Sequence, residues 1–168
     1  AYEMTSSLVG SEMCITDRGG KHRHIPEILQ NFAHAAGKSA AEASEFTLGF
    51  TPILAPMSRG ILATVSARMT DKAKTLSDEE IRAVWSKAYE GQDFMVLLPE
   101  GTLPATGNII GSNAAHLQVV TDRKAGRIYA FAAIDNLNRG TAGQAVQSLN
   151  IALGLPEDAG LTKIGVAP

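Results

Sequence analysis

Two apolar runs, Leu117-Gln118-Val119-Val120-Thr121 and Ile128-Tyr129-Ala130-Phe131-Ala132, stand on either side of Lys124-Ala125-Gly126. Runs this short and this rich in β-branched and aromatic residues read as strands, and a short glycine-bearing connection folds one back on the other. The chain is therefore expected to contain antiparallel sheet. Ile61–Ala67 is a third β-rich run, and the continuous apolar stretch Phe94-Met95-Val96-Leu97-Leu98 suggests a buried strand. Residues 45–50 alternate weakly and predict a further strand, followed by a loop with two prolines from Thr51 to Gly60.

Helices interleave with these strands. Ser77-Asp78-Glu79-Glu80 is a capping box, with Ser at the cap and Glu three residues on. It opens a helix striped by Ile81, Val84, Trp85 and Ala88. Residues 25–36 predict a short amphipathic helix, with Ile28 and Phe32 one turn apart and Gly37 as its terminator. Ser39–Ser44 reads as a connector or short helical turn. A last helix is predicted over about 139–153, striped by Ala142, Ala145, Val146, Leu149 and Leu153, stopped by Gly154 and followed by Pro156. Helices alternating with antiparallel-looking strand pairs favour an α+β fold.

A chain of 168 residues is one domain's worth and long enough to bury a core. Its net charge of −2 gives no support for a nucleic-acid partner. No apolar run approaches a transmembrane span, and Ala1-Tyr2-Glu3-Met4 carries no basic leader, so a membrane partner is not expected. A single cysteine allows no internal disulfide, which points to the cytoplasm. Gly-x-Gly-x-x-Gly after a strand and Walker-type loops are both missing, so a dinucleotide-binding half is not expected within these residues.

Chemistry concentrates in Lys21-His22-Arg23-His24-Ile25-Pro26-Glu27. Pro fits a first helical turn, and a helix start offers free N–H groups to an anion beside a histidine able to move protons near neutral pH. A plain solvated loop, a helix cap and a zinc site compete with that reading. Zinc usually needs three or four protein ligands, and the nearby candidates Cys14 and His34 stand at no recognised spacing. Cys14, in the apolar run Met13-Cys14-Ile15, suits a small core filler better than a nucleophile, because no flanking glycine exposes it at a sharp turn. Arg59, after the Pro-rich loop, could fork onto a phosphate or carboxylate or simply lie exposed at a strand edge. In Asp135-Asn136-Leu137-Asn138-Arg139-Gly140-Thr141-Ala142-Gly143-Gln144, Asn136 and Gln144 could bond an amide. The small residues there allow close approach of a ligand, or of another part of the protein. Gly111-Ser112-Asn113 is a turn signal.

In order and spacing, five segments resemble the N-acetyl-γ-glutamyl-phosphate reductase family across nearly the whole chain. They are His22–Ile28, Phe50-Thr51-Pro52 through Pro56–Leu62, Gly111-Ser112-Asn113, Asp135-Asn136-Leu137 through Gly140–Gln147, and Leu153–Glu157 through Gly160-Leu161. The resemblance is to the carboxyl-terminal substrate and oligomerisation domain. It implies one domain over residues 1–168, similar to the C-terminal domain of glyceraldehyde-3-phosphate dehydrogenase. That fold is a mixed, largely antiparallel sheet with helices on one face and another subunit on the other, so a homo-oligomer is implied. An amino-terminal dinucleotide-binding domain would be the second partner. The implied reaction passes an acyl group from N-acetyl-glutamyl phosphate to a cysteine thiolate, then reduces the thioester with NADPH, in arginine biosynthesis.

The family's Gly-Cys-Tyr/Phe-x-Thr motif is missing here and Cys14 does not match it, so the chain alone is expected to be inactive. The resemblance assigns His22 as the catalytic histidine beside that thiolate, His24, Glu27 and Arg59 to the substrate pocket, Asn136 to the nicotinamide cofactor, and no metal. The chain departs from the family where many members carry His at Ile53 and Lys at Arg139. Thr16 or a neighbour stands where a tyrosine is common. These departures bear on details of the pocket. The end at Pro168 is expected to be a natural terminus of the actinobacterial type. Rival readings are a sister reductase (aspartate-semialdehyde dehydrogenase, or one acting on carrier-bound glutamyl or aminoadipyl phosphate), a non-catalytic binding or scaffold module, and a small zinc hydrolase built on His22 and His24.

Overall fold

The structure, a computed structural model, describes residues 14–15 and 20–166. The Cys14 side chain and Thr16 lie outside the described residues. The chain divides into two compact units, Ala1–Ser58 and Arg59–Pro168.

In the first unit, β1 (Cys14–Ile15) pairs antiparallel with β2 (Ile53–Leu54), Cys14 opposite Leu54. Between them α1 (Ile25–Ala35) carries Pro26 in its first turn, as the sequence predicts. Gly37 ends it with φ 71°, and the Lys38 N–H donates to the Ala33 carbonyl at 2.8 Å. Residues 40–45 form a 3-10 turn, started by Ser39, whose N–H and hydroxyl both donate to the Glu42 carboxylate. The strand predicted at 45–50 is not there: Glu45 closes the 3-10 turn and 46–50 have no ladder partner among the described residues. The pairing falls instead at Ile53–Leu54, inside the predicted loop, because a strand exists only where another offers it hydrogen bonds.

The second unit holds a four-stranded sheet of β3 (Ile61–Arg68), β4 (Met95–Leu97), β5 (Ala115–Asp122) and β6 (Arg127–Ile134), in the order β3-β6-β5-β4. The two long pairs are antiparallel and β4 runs parallel to β5, so the sheet is mixed and largely antiparallel. The hairpin turn is the predicted one. Gly126 has φ 64° and the Ala125 N–H donates to Asp122 Oδ1 at 2.8 Å.

Register sorts the two faces, since cross-strand partners share a side. Val65, Ala130 and Val119 align on one face, and Thr64, Phe131 and Gln118 on the other. The helices α2 (Asp71–Thr75) and α3 (Asp78–Ala88) serve the first face, where Met69, Ile81 and Val119 are buried with Leu76, Trp85 and Ile128 against them. The capping box is present: the Ser77 N–H donates to Glu80 Oε2 at 2.7 Å and the Glu80 N–H to Ser77 Oγ. The stripe predicted on α3 is only half inward, with Val84 61% exposed, because the sheet meets just the Ile81–Trp85 side of the helix.

The last helix departs most from the periodic pattern. α4 spans Gly143–Ala152, and the turn before it, Asn138–Ala142, is a π-helix in which the Ala142 N–H reaches back to the Leu137 carbonyl. Its buried members are Gly143 and Asn150, while Leu149, Ile151 and Leu153 are exposed. The predicted apolar stripe is thus not the inward face. Asn150 Nδ2 instead donates to the carbonyls of Glu157 and Ala159, so the helix is tied to the following segment by hydrogen bonds.

Candidate functional site

In the first unit His22 is half buried at the mouth of α1, its ring edge-on to His24 (centroids 4.8 Å apart) and to Phe50 (4.9 Å). The His24 backbone N–H donates to His22 Nδ1 at 3.1 Å. With Nδ1 acting as acceptor, Nε2 is the nitrogen that carries the proton in the matching tautomer. His24 and Glu27 are exposed. The helix start is a weaker anion cradle than the sequence suggests. The His24 and Ile25 N–H groups are spent on His22, Pro26 has none, and the Ile28 N–H is spent on the His24 carbonyl. The exposed Glu27 carboxylate in this first turn further favours a donor or cation as neighbour.

The second unit joins two residue pairs separated by 76 positions. Arg59 Nε donates to Asp135, 2.9 Å from Oδ1 and 2.8 Å from Oδ2, while the Gly60 N–H donates to Asn136 Oδ1 at 2.7 Å. Asp135 is fully buried. Its Oδ1 also accepts the Leu137 and Asn138 N–H groups, and Oδ2 the Gly111 N–H at 2.6 Å. Burial pushes the Asp135 carboxyl upward, but Arg59 and the Gly111, Asn138 and Leu137 amides outweigh that and hold it at about 2. Asp135 therefore stays ionised and aims the Arg59 side chain.

The Arg59 side chain is one-third exposed and only its Nε is bonded among the described residues, so the Nη fork is free to meet an oxyanion. Asn136 is similarly oriented. With Oδ1 given to the Gly60 amide, Nδ2 is the end left to donate, which suits a carboxamide oxygen. Gly60 makes the clasp possible: its φ is 104°, and a Cβ there would lie 2.9 Å from Thr106 Cβ.

The small residues of 140–144 divide between the two meanings open to them. At Gly143 a Cβ would stand 2.4 Å from Asn113 Oδ1 and 2.1 Å from Asn138 Oδ1, so it is the protein's own asparagines that approach. Gly111, Ser112 and Asn113 are more than a turn. Ser112 and Asn113 are fully buried, and Gly111 takes an N–H bond to Asp135 and a carbonyl bond from Asn138 Nδ2. Beside them Gln147 Oε1 accepts from Asn113 Nδ2 and Arg139 Nη1, and Gln147 Nε2 donates to Glu157. Sequence reading assigns neither Asp135 nor Gln147 a role of its own. The available signal was an Asp immediately before Asn-Leu-Asn, a spacing that lets one carboxylate cap the two amides ahead of it.

Among the described residues no helix is long and apolar enough to cross a membrane, and no three His, Cys, Asp or Glu side chains converge as a metal site.

The family model described as "Semialdehyde dehydrogenase, dimerisation domain" matches residues 13–136. Three relatives named N-acetyl-gamma-glutamyl-phosphate reductase are similar over most of the chain. The one from Bifidobacterium animalis subsp. lactis (strain AD011) is 65% identical over 150 residues, 89% of this chain and 41% of the relative. That from Streptomyces coelicolor (strain ATCC BAA-471 / A3(2) / M145) is 54% identical over 96% of this chain and 46% of the relative. That from Mycobacterium avium (strain 104) is 50% identical over 97% of this chain and 45% of the relative. The chain thus spans less than half the length of the curated relatives it matches.

Proposed function

The chain belongs to the semialdehyde dehydrogenase dimerisation-domain family, and on that footing we propose that residues 1–168 are the substrate-binding and oligomerisation domain of an NADP-dependent N-acetyl-γ-glutamyl-phosphate reductase. The full enzyme converts N-acetyl-glutamyl 5-phosphate to N-acetyl-glutamate 5-semialdehyde and phosphate, in the cytoplasm, as a step of arginine biosynthesis. The nucleophilic cysteine and the dinucleotide-binding fold would belong to the remaining length of the full enzyme. The single observation that carries this reading is the Arg59–Asp135 clasp: a buried carboxylate that aims an arginine fork whose Nη groups are open among the described residues. Such a fork suits the phosphate or carboxylate of an acyl phosphate.

His22 would serve the cysteine thiolate from Nε2, its ring orientation held by the His24 amide at Nδ1. His24 and Glu27 would contact the substrate's carboxylate or amide. Asn136 Nδ2 would hold the carboxamide of the nicotinamide, a fit supported by Oδ1 being spent on Gly60. NADP, when bound, supplies the hydride.

The test is a phosphate-dependent aldehyde oxidation assay on the full-length enzyme. N-acetyl-glutamate semialdehyde should be turned over, and aspartate semialdehyde and carrier-bound substrates should not. Arg59→Ala should raise KM for phosphate by at least about tenfold, the loss of one charge-assisted contact. The isolated chain should show no turnover with NADPH and acyl phosphate. Activity of the isolated chain, or an unchanged KM in Arg59→Ala, would refute the proposal.

A further inference from the structure

The end of the sheet farthest from Arg59 carries a concentration of positive charge that the proposed reaction does not use. A concavity of about 670 Å³ opens where β3 ends and the β5–β6 hairpin turns, and Arg68, Lys74, Arg123, Lys124 and Arg127 line it with no carboxylate among the lining residues. Five of the fifteen Lys and Arg residues of a chain with net charge −2 meet there.

The arrangement is held by backbone. Arg68 and Arg127 are direct cross-strand partners at the last rung of the β3–β6 ladder, so two like charges share one face. Directly opposed like charges destabilise a sheet unless something neutralises them. Arg127 is fixed there by its Nε bond to Ser66 Oγ at 2.6 Å. The turn is rigid: the Met69 N–H donates to the Gly126 carbonyl at 2.9 Å, and the Ala125 N–H to Asp122.

Neighbouring carboxylates are already engaged. Asp71 pairs with Lys74 and Asp78 with Arg123, while Asp122, the β5 partner of Arg127 on the same rung, accepts the Ala125 amide at Oδ1 and keeps one negative charge against the cations. Arg123 also donates to the Leu76 carbonyl at 2.7 Å, so it serves as a wall. Among the described residues the Arg68 and Lys124 side chains have neither ion pair nor hydrogen bond. Two open cations and the remaining Nη1 of Arg127 therefore face one cavity.

We propose that this concavity is a binding site for a small phosphorylated molecule carrying two or more negative charges. Guanidinium forks meet phosphate oxygens two at a time, the lysine adds a mobile point charge, and the cavity lies in the size range of small-molecule sites. It is separate from the Arg59 clasp. The eight-residue ladder from Ile61–Ile134 to Arg68–Arg127 puts about 24 Å between them at ~3.4 Å per residue. A ligand there would lock β3 to the hairpin turn, so its effect would be on stability or assembly.

The experiment is calorimetric titration of this chain with inorganic pyrophosphate, against sodium chloride of matched ionic strength, with polyglutamate as competitor. The expected result is saturable binding, weakened at least about tenfold in the double variant Arg68→Ala/Lys124→Ala. The double variant should keep the wild-type circular dichroism, because neither side chain bonds to the protein among the described residues. Backbone amide NMR shifts should fall on residues 123–127. Failure to saturate by about 10 mM, or equal binding by the double variant, overturns the site. Polyglutamate binding that pyrophosphate does not displace also overturns it, in favour of an acidic peptide surface.

Discussion

Asp135 lies fully buried with four donors on its two oxygens, and its charge is what makes them all favourable at once. Its folded-state value of about 2 lies below the ordinary 3.8, so its contribution is complete above about pH 4 and is lost as pH falls through 2. The shift is worth about 2 kcal/mol. Urea unfolding followed from about pH 5 to pH 2 should show this loss, and Arg59→Ala should move it to higher pH. A limb that Arg59→Ala leaves in place would mean that the ion pair is not what holds the carboxylate. Gly60 is as specific. Its positive φ and the Thr106 contact together predict that Gly60→Ala destabilises by more than ~1 kcal/mol, measured by thermal unfolding. An unaltered melting temperature would count against the clasp.

At the scale of elements, local chemistry predicts well and periodicity less so. The Ser77–Glu80 capping box starts α3 and Gly126 turns the hairpin, because each signal acts within four residues of itself. Ser77→Ala should accordingly cost about 1 kcal/mol in chemical denaturation, with Glu80→Ala nearly non-additive since both serve one cap. The apolar stripe of α4 failed because other contacts hold the helix. Asn150 bonds the carbonyls of Glu157 and Ala159 just beyond it, Gly143 packs against Asn138 and the more distant Asn113, and the helix's leucines are left outward. β4 illustrates the same limit. Its apolar run predicts a buried strand, but Met95–Leu97 lies half buried at the sheet edge, and only the partner decides that it runs parallel to β5.

For the second unit as a whole, the sheet face away from α3 is unfinished. Leu62 is 55% exposed and Val120 43%, with Tyr129 and Phe131 stacked and half buried beside them. Such apolar surface on a sheet face that no described helix covers suits an interface between copies, in keeping with a dimerisation-domain family. Sedimentation should therefore show concentration-dependent association of this chain. Val120→Lys should shift it toward monomer without loss of helix or strand signal; undiminished association would assign the interface to another face.

Composition, the capping box, the glycine stops and the strand runs determined that this chain is α+β, and the spacing of His22–Glu27, Pro52–Gly60 and Asp135–Gln147 was enough to resemble a family. Those signals are local, or are strings that can be compared position by position. Tertiary structure alone decided that Asp135 anchors Arg59, that Asn136 turns its Nδ2 end outward, that Gly143 is small for Asn113 and Asn138, and that Arg68 faces Arg127. Each depends on which distant segments are brought into register, and the energy of a contact between residues 76 apart has no expression in the sequence around either one.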